Sequence, residues 1–156
     1  MSGLSWLTIL RKRENFRAAF HGFDHGAMAR FSTRDVSRLM GDAGIVRNRA
    51  KIEATVNNAR RLPELIEEFG SFAAYVWGYE PKPRKHLLDR AALVEAGVSA
   101  EAIAMSKDLR RRGWSFVGPT TVHSFMEAMG LVNDHIRGCE AGLEVERLRH
   151  DFARPR

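Results

Sequence analysis

Residues 41–51 read GDAGIVRNRAK, and this glycine-containing stretch separates two segments whose apolar residues recur at helical spacing. The apolar residues before it are Val36, Leu39 and Met40, and those after it are Ile52, Val56, Ala59 and Leu62. Two helices joined in this way are typical of the helix-hairpin-helix that grips DNA. In that motif, backbone N–H groups at the hairpin and at the start of the second helix face one phosphate.

The hairpin carries polar and basic residues that suit this interpretation, namely Arg47, Asn48, Arg49 and Lys51. Gly44 indicates a tight turn. The usual hairpin signature has a second glycine, whereas residues 47–49 occupy that turn here. An ordinary helical hairpin with a solvated basic tip is therefore the alternative, and the residues by themselves favour it.

Helical patterns continue nearly throughout the chain, and no alternating segment of useful length predicts a sheet, so the fold class is all-α. Ser32 and Asp35 form a capping-box pattern. Ser71 is placed to cap a further helix, and Pro119 is placed to open another. Pro63 is expected to kink or restart the helix that follows the hairpin.

Charge and composition narrow the function classes. The 156 residues carry a formal net charge of +6, which fits a polyanionic partner such as nucleic acid, although solubility alone explains it equally well. Residues 11–13, RKR, are predicted to be a solvated basic cluster. The single cysteine excludes a disulfide framework and fits a reducing compartment. No apolar run reaches membrane-spanning length, and no secretory signal is expected.

Two local features carry candidate chemistry. His135 and Cys139 are four residues apart and are both good zinc ligands, but zinc prefers four nitrogen or sulfur donors and no second pair is evident. Trp6 follows Gly3, Leu4 and Ser5 and could stack on a nucleobase. The residues alone favour core positions for His135, Cys139 and Trp6, and no nucleophilic arrangement stands out.

Three long phrases and one spacing together resemble the DNA-3-methyladenine glycosylase I family. The phrases are GLSWLTILRKRENFRAAFHGFD at 3–24, DAGIVRNRAKIEATVNNAR at 42–60 and RRRGWSFVGPTTVHSFMEAMGLVNDH at 110–135, and the spacing is His135-x-x-x-Cys139. The resemblance implies an all-α helix-hairpin-helix glycosylase fold. It implies excision of 3-methyladenine from alkylated double-stranded DNA, which leaves an abasic site, and 3-methylguanine as a weaker substrate.

The resemblance also assigns roles to individual residues. Trp6 matches the tryptophan that lines the base pocket in the family's G-L-S-W motif. Gly3 and Leu4 match positions that approach the DNA at the lesion. Gly44 to Lys51, with Arg47, Asn48 and Arg49, match the hairpin that clamps the backbone. His135 and Cys139 match the second half of a structural zinc site.

The chain departs from the family pattern at its start. The family's first two zinc ligands, its base-recognising glutamate and further aromatic pocket residues precede G-L-S-W, and this chain begins at Met1. We therefore expect an N-terminally truncated glycosylase-like domain at 1–139, followed by a charged tail at 140–156. A misassigned start or a truncated gene is favoured over a genuine short form. The catalytic residue is unknown, and only two of four zinc ligands are present.

We expect a monomeric, cytoplasmic protein that binds alkylated double-stranded DNA and no membrane. The alternative function is a non-enzymatic DNA-binding remnant, inactive because the pocket residues and zinc ligands at the start are missing.

Overall fold

The computed structural model describes residues 5–84 and 86–155. These residues form ten α-helices and one short 3-10 helix, and no strand occurs among them. The elements are α1 (Trp6–Arg11), α2 (Arg13–Ala19), the 3-10 helix (His21–Phe23), α3 (His25–Ala29), α4 (Thr33–Gly41), α5 (Arg49–Phe69), α6 (Phe72–Trp77), α7 (Arg90–Ala96), α8 (Ala100–Arg111), α9 (Pro119–Ala128) and α10 (Glu140–Asp151). None of the described helices is long and apolar enough to cross a membrane. The all-α prediction is confirmed.

The helix starts follow from local side-chain chemistry. Ser32 accepts the N–H of Asp35, while the Asp35 carboxylate accepts the N–H of Ser32, so the predicted capping box is formed at α4. The backbone N–H and the hydroxyl of Ser32 both donate to the Asp35 carboxylate and hold its pKa below its ordinary range. Ser71 caps α6 by accepting the N–H of Ala74, and Pro119 opens α9, both as predicted.

Pro63 lies inside α5, and the predicted restart at this residue is wrong. Proline removes one backbone donor, the partner of the carbonyl of residue 59, and costs about 3 kcal/mol in a helix interior. The flanking apolar residues Ala59 and Leu65 are both buried, and their packing offsets that cost. The helix therefore continues from Arg49 to Phe69.

The chain divides into two compact units. The first contains the described residues up to Glu68 together with Leu109–Phe116. Its core brings together apolar side chains from the stretch between α2 and α5, namely Ala19, Phe20, Met28, Phe31, Val36, Leu39, Ile45, Ile52, Val56 and Ala59. Arg60 reaches the end of α3 and donates to the carbonyls of Ala29 and Phe31 at 2.8 and 2.9 Å. The hairpin that follows α4 is thus attached to a packed core through Ile45.

The second unit contains Phe69–Asp108 and the described residues from Val117 onward. Its buried apolar side chains are Tyr75, Val76, Ala102, Met105, Val122, Met126, Leu131 and Val132. The hydroxyl of Tyr75 donates to Asp108 at 3.0 Å, and burial raises the pKa of Tyr75. Ser106 donates to the carbonyl of Val117 at 2.6 Å.

The segment after residue 139 belongs to this second unit. Its helix α10 is tied to Glu80, whose carboxylate accepts bonds from Arg154 at 2.9 and 3.0 Å and from Arg149 at 3.4 Å. Phe152 packs against Trp77 with ring centroids 4.8 Å apart. The domain boundary at residue 139 stays a prediction.

Candidate functional site

The hairpin between α4 and α5 is shaped by Gly44. Its N–H donates to the carboxylate of Asp42 at 2.7 Å. A Cβ at this position would lie 2.9 Å from that Asp42 oxygen and 3.1 Å from the amide nitrogen of Asn15. A side chain at this position would displace the Asp42 carboxylate and the Asn15 amide, so the tight turn predicted at Gly44 is closely approached by two side chains.

Lys12 and Asn15 brace this hairpin from the junction of α1 and α2. The Lys12 ammonium donates to the carbonyls of Ala43 at 2.8 Å and Gly44 at 3.1 Å, and the Asn15 amide donates to Gly44 at 3.2 Å. The prediction of a solvated cluster at residues 11–13 is therefore wrong for Lys12, which is half-buried. Sequence reasoning missed both braces because they lie about 30 positions from the turn.

The basic residues of the hairpin lie at the start of α5. Arg47, Asn48 and Arg49 are exposed, and Lys51 is half-buried. The Asn48 side chain accepts the N–H of Lys51 at 3.0 Å and so caps the helix. Arg49 pairs with Glu53 at 3.4 Å, whereas Arg47 has no ion pair among the residues that the structure describes. First-turn N–H groups without helical partners then lie next to two exposed guanidinium groups, an arrangement that suits an anion.

Trp6 begins α1 with 53% of its surface exposed, so the core interpretation is wrong. No residue of α1 is buried, and Leu7 and Leu10 are 55% and 57% exposed. An exposed indole is available to stack on a flat ligand, since its face carries the negative part of the ring quadrupole. The predicted DNA contacts Gly3 and Leu4 lie outside the described residues.

His135 and Cys139 lie in the connection that leads into α10. His135 is exposed and Cys139 is half-buried, so the core interpretation is wrong for His135. Cys139 stands at the N-cap of α10 with a free thiol. The His135 ring nitrogen Nδ1 lies 2.7 Å from the side-chain oxygen of Asn133. An amide oxygen only accepts, so Nδ1 carries a proton, and in the neutral ring Nε2 is then the nitrogen with the lone pair that a zinc ligand needs.

A second group of potential ligands does not fit a metal in its present form. His123, Glu127 and Asp134 have donor atoms within 4.8 Å of one another. However, His123 accepts the N–H of Ser99 on Nδ1 at 3.3 Å, so its proton lies on Nε2 and is donated to Asp134 at 2.9 Å. Arg84 donates to the other Asp134 oxygen at 2.6 Å. His123, Asp134 and Arg84 thus form a hydrogen-bonded network, and Glu127 lies beside it.

Comparison with known proteins identifies the family to which the chain is similar. A family model described as methyladenine glycosylase matches residues 1–142. The chain is similar to DNA-3-methyladenine glycosylase 1 of Escherichia coli strain K12, with 45% identity over 139 residues, which cover 88% of this chain and 74% of that protein.

Solved structures agree with the helical architecture. A structure of 3-methyladenine DNA glycosylase I from Staphylococcus aureus, studied for its recognition of 3-methyladenine, matches with a TM-score of 0.81 and 39% identity over 90% of this chain and 75% of that one. A variant of 3-methyladenine DNA glycosylase I in complex with 3-methyladenine matches with a TM-score of 0.82 and 38% identity over 90% of this chain and 76% of that one.

Proposed function

Because this chain belongs to the methyladenine glycosylase family, we propose that it hydrolyses the N-glycosidic bond of 3-methyladenine in alkylated double-stranded DNA and leaves an abasic site. The family match over residues 1–142 carries this proposal. The braced hairpin supports it, since it presents helix N–H groups and exposed guanidinium groups at one end of α5.

The chemistry of the substrate explains why little acid–base assistance is needed. Methylation at N3 makes the base cationic and therefore a good leaving group. When the bond between N9 and C1′ breaks, its electron pair neutralises the departing base. A water oxygen forms the new bond to C1′, and the proton of that water passes to solvent. The protein's main work is to flip the nucleotide out of the duplex and hold the base.

Trp6 is proposed to stack on the flipped base. Its exposed indole offers an electron-rich face, and a cationic base is attracted to such a face more strongly than neutral adenine is. This preference favours the methylated base over normal adenine. Gly3 and Leu4 are proposed to approach the DNA beside it, and Arg47, Asn48, Arg49 and Lys51 to lie at the phosphates.

His135 and Cys139 are proposed to hold a structural zinc ion as two of its four ligands. The donor set of one imidazole nitrogen and one thiolate suits zinc, and the free lone pair on Nε2 of His135 supports the assignment. Zinc would anchor the polypeptide there and perform no chemistry on the substrate. We also propose that the protein is a monomer and that it acts in the cytoplasm. The single cysteine is consistent with the reducing environment of that compartment.

The test is to incubate the chain with methylated duplex DNA and to measure free 3-methyladenine, with unmethylated duplex as the control. We expect release above the spontaneous rate. DNA binding that weakens steeply with salt but releases no base would contradict the proposal and indicate a non-enzymatic DNA-binding protein.

A further inference from the structure

We propose that Asn133 is a positioning residue that fixes the His135 ring as its Nδ1–H tautomer and thereby presents Nε2 to an incoming metal cation. Asn133 is 5% exposed, and its side-chain amide lies between the His135 loop and α10. The metal role of His135 is part of the proposed function, whereas the tautomer follows from hydrogen bonds alone.

The orientation of the Asn133 amide is determined by its two acceptors on α10. Its nitrogen lies 2.9 Å from the carbonyl oxygen of Gly142 and 2.8 Å from a carboxylate oxygen of Glu146. Both partners only accept, so the nitrogen must face them and the amide oxygen must face His135.

The amide oxygen then accepts two bonds from one residue. The backbone N–H of His135 donates at 3.2 Å and ring Nδ1 at 2.7 Å. All four hydrogen-bonding positions of the Asn133 side chain are therefore occupied, and a fully satisfied buried amide has one stable orientation. Rotating it would place oxygen against oxygen on α10 and leave nitrogen against the ring of His135.

Gly142 restricts His135 from the other side. A Cβ at Gly142 would lie 2.6 Å from the Cβ of His135 and 2.9 Å from a methyl carbon of Leu87. The ring is thus held between an amide that selects its tautomer and a helix that leaves no room behind its Cβ. Among the residues that the structure describes, no hydrogen bond is made by Nε2 of His135.

One of the two groups that orient the Asn133 amide lies outside the segment that matches the family model. The match ends at residue 142, whereas Glu146 lies on the next turn of α10 and also pairs with Arg149 at 2.8 Å. Helix α10 therefore orients the Asn133 amide through the Gly142 carbonyl and the Glu146 carboxylate. The amide in turn determines the tautomer of the His135 ring.

The first test measures the tautomer without any metal. Long-range proton–nitrogen correlations of the ¹⁵N-labelled chain at about pH 8.5, where an ordinary imidazole is neutral, distinguish Nδ1–H from Nε2–H. The His135 signals are assigned by their loss in His135→Gln. We expect Nδ1–H for His135. An Nε2–H form, or an averaged mixture in the unmodified chain, would overturn the proposal.

The second test uses variants and zinc. Asn133→Leu fills a similar volume but cannot accept, so His135 should change to Nε2–H or to a mixture, and Gly142→Ala should shift the same signals. Glu146→Gln keeps an acceptor for Asn133 and should leave them unchanged. On addition of Zn²⁺ to the unmodified chain, the Nε2 signal should shift more than the Nδ1 signal, and Asn133→Leu should weaken the apparent zinc affinity about 10- to 100-fold.

The outcomes separate this proposal from the proposed function. A Zn²⁺-induced shift that is larger at Nδ1 than at Nε2, or no shift at either nitrogen in large excess of Zn²⁺, would overturn the presentation of Nε2. An unchanged tautomer in a folded Asn133→Leu variant would overturn the role of Asn133. Base release is measured on separate samples. An absence of release would contradict the proposed function, whereas the tautomer of His135 would be unaffected by that result.

Discussion

At the scale of single residues, the exposure of Trp6 decides whether this apolar side chain is interpreted as a core residue or as a ligand contact. Its position at helical spacing with Leu7 and Leu10 favours burial, yet all three are more than half exposed. A large apolar residue left in solvent gives up burial free energy of about 2 kcal/mol. The proposed stacking on a flipped base would recover stabilisation of that order.

We predict that Trp6→Ala reduces base release about 10- to 100-fold while reducing DNA affinity much less, because stacking on one base contributes about 1–3 kcal/mol and phosphate contacts remain. Single-turnover release and DNA titration measure the two effects. Trp6→Phe keeps an aromatic face and should retain most of the release, and Leu7→Ala is the matched exposed control. Equal losses of release and binding in Trp6→Ala would refute the assigned role.

At the scale of elements, the hairpin depends on an interaction that crosses from one helix junction to another. The Lys12 ammonium donates to the carbonyl groups of Ala43 and Gly44, and the Asn15 amide donates to that of Gly44. These bonds hold the backbone of the hairpin against the junction of α1 and α2.

We predict that Lys12→Met lowers the free energy of unfolding by about 1–3 kcal/mol, because two carbonyl groups lose a charged donor. DNA affinity should fall with little change in the salt slope, since Lys12 pairs with carbonyls and not with phosphates. Chemical denaturation and salt-dependent DNA titration measure both effects. Arg13→Met removes the same charge from an exposed neighbour, and equal stability losses in the two variants would contradict the bracing role.

At the scale of the whole molecule, the last helix is secured by one partly buried carboxylate. Glu80 accepts two bonds from Arg154 and one from Arg149. The hydrogen bonds from Arg154 are the main reason that the pKa of Glu80 lies below its ordinary range, and the two positive charges add to the effect. A carboxyl group whose pKa is lower in the folded state stabilises the fold at neutral pH, and this contribution disappears as pH falls through that lowered pKa.

We predict that Glu80→Gln lowers the free energy of unfolding by about 1–3 kcal/mol at pH 7. The difference from the unmodified chain should shrink as pH falls below the ordinary range for glutamate, because protonated Glu80 resembles glutamine. Urea denaturation at a series of pH values measures it. Glu144→Gln breaks an exposed pair on α10, which solvent screens, and should lower the free energy of unfolding much less than Glu80→Gln does. A difference for Glu80→Gln that persists undiminished in acid would exclude this linkage.

The zinc proposal also concerns the whole chain, because ligands must be gathered from separate segments. Only His135 and Cys139 are proposed as ligands here, and two donors bind zinc far more weakly than four. We therefore predict weak zinc binding, which competition titration with a chromophoric chelator measures, and a further decrease in Cys139→Ser. One tightly held zinc per monomeric chain would contradict this expectation.

The sequence determined those features whose interacting partners are close along the chain. The capping box of Ser32 and Asp35, the cap at Ser71 and the helix start at Pro119 each depend on contacts within one helical turn. The all-α class follows from apolar spacing, and the family follows from long ordered phrases. For the same reason, the turn at Gly44 was predictable from glycine itself.

Only the tertiary structure decided which groups meet across long separations in the chain. It placed Lys12 under the hairpin, kept α5 continuous through Pro63, left Trp6 exposed and joined Asn133 to both His135 and α10. Periodicity identifies an apolar or charged residue but not its partner. Burial and hydrogen-bond direction depend on how helices pack, and packing is a property of the folded chain as a whole.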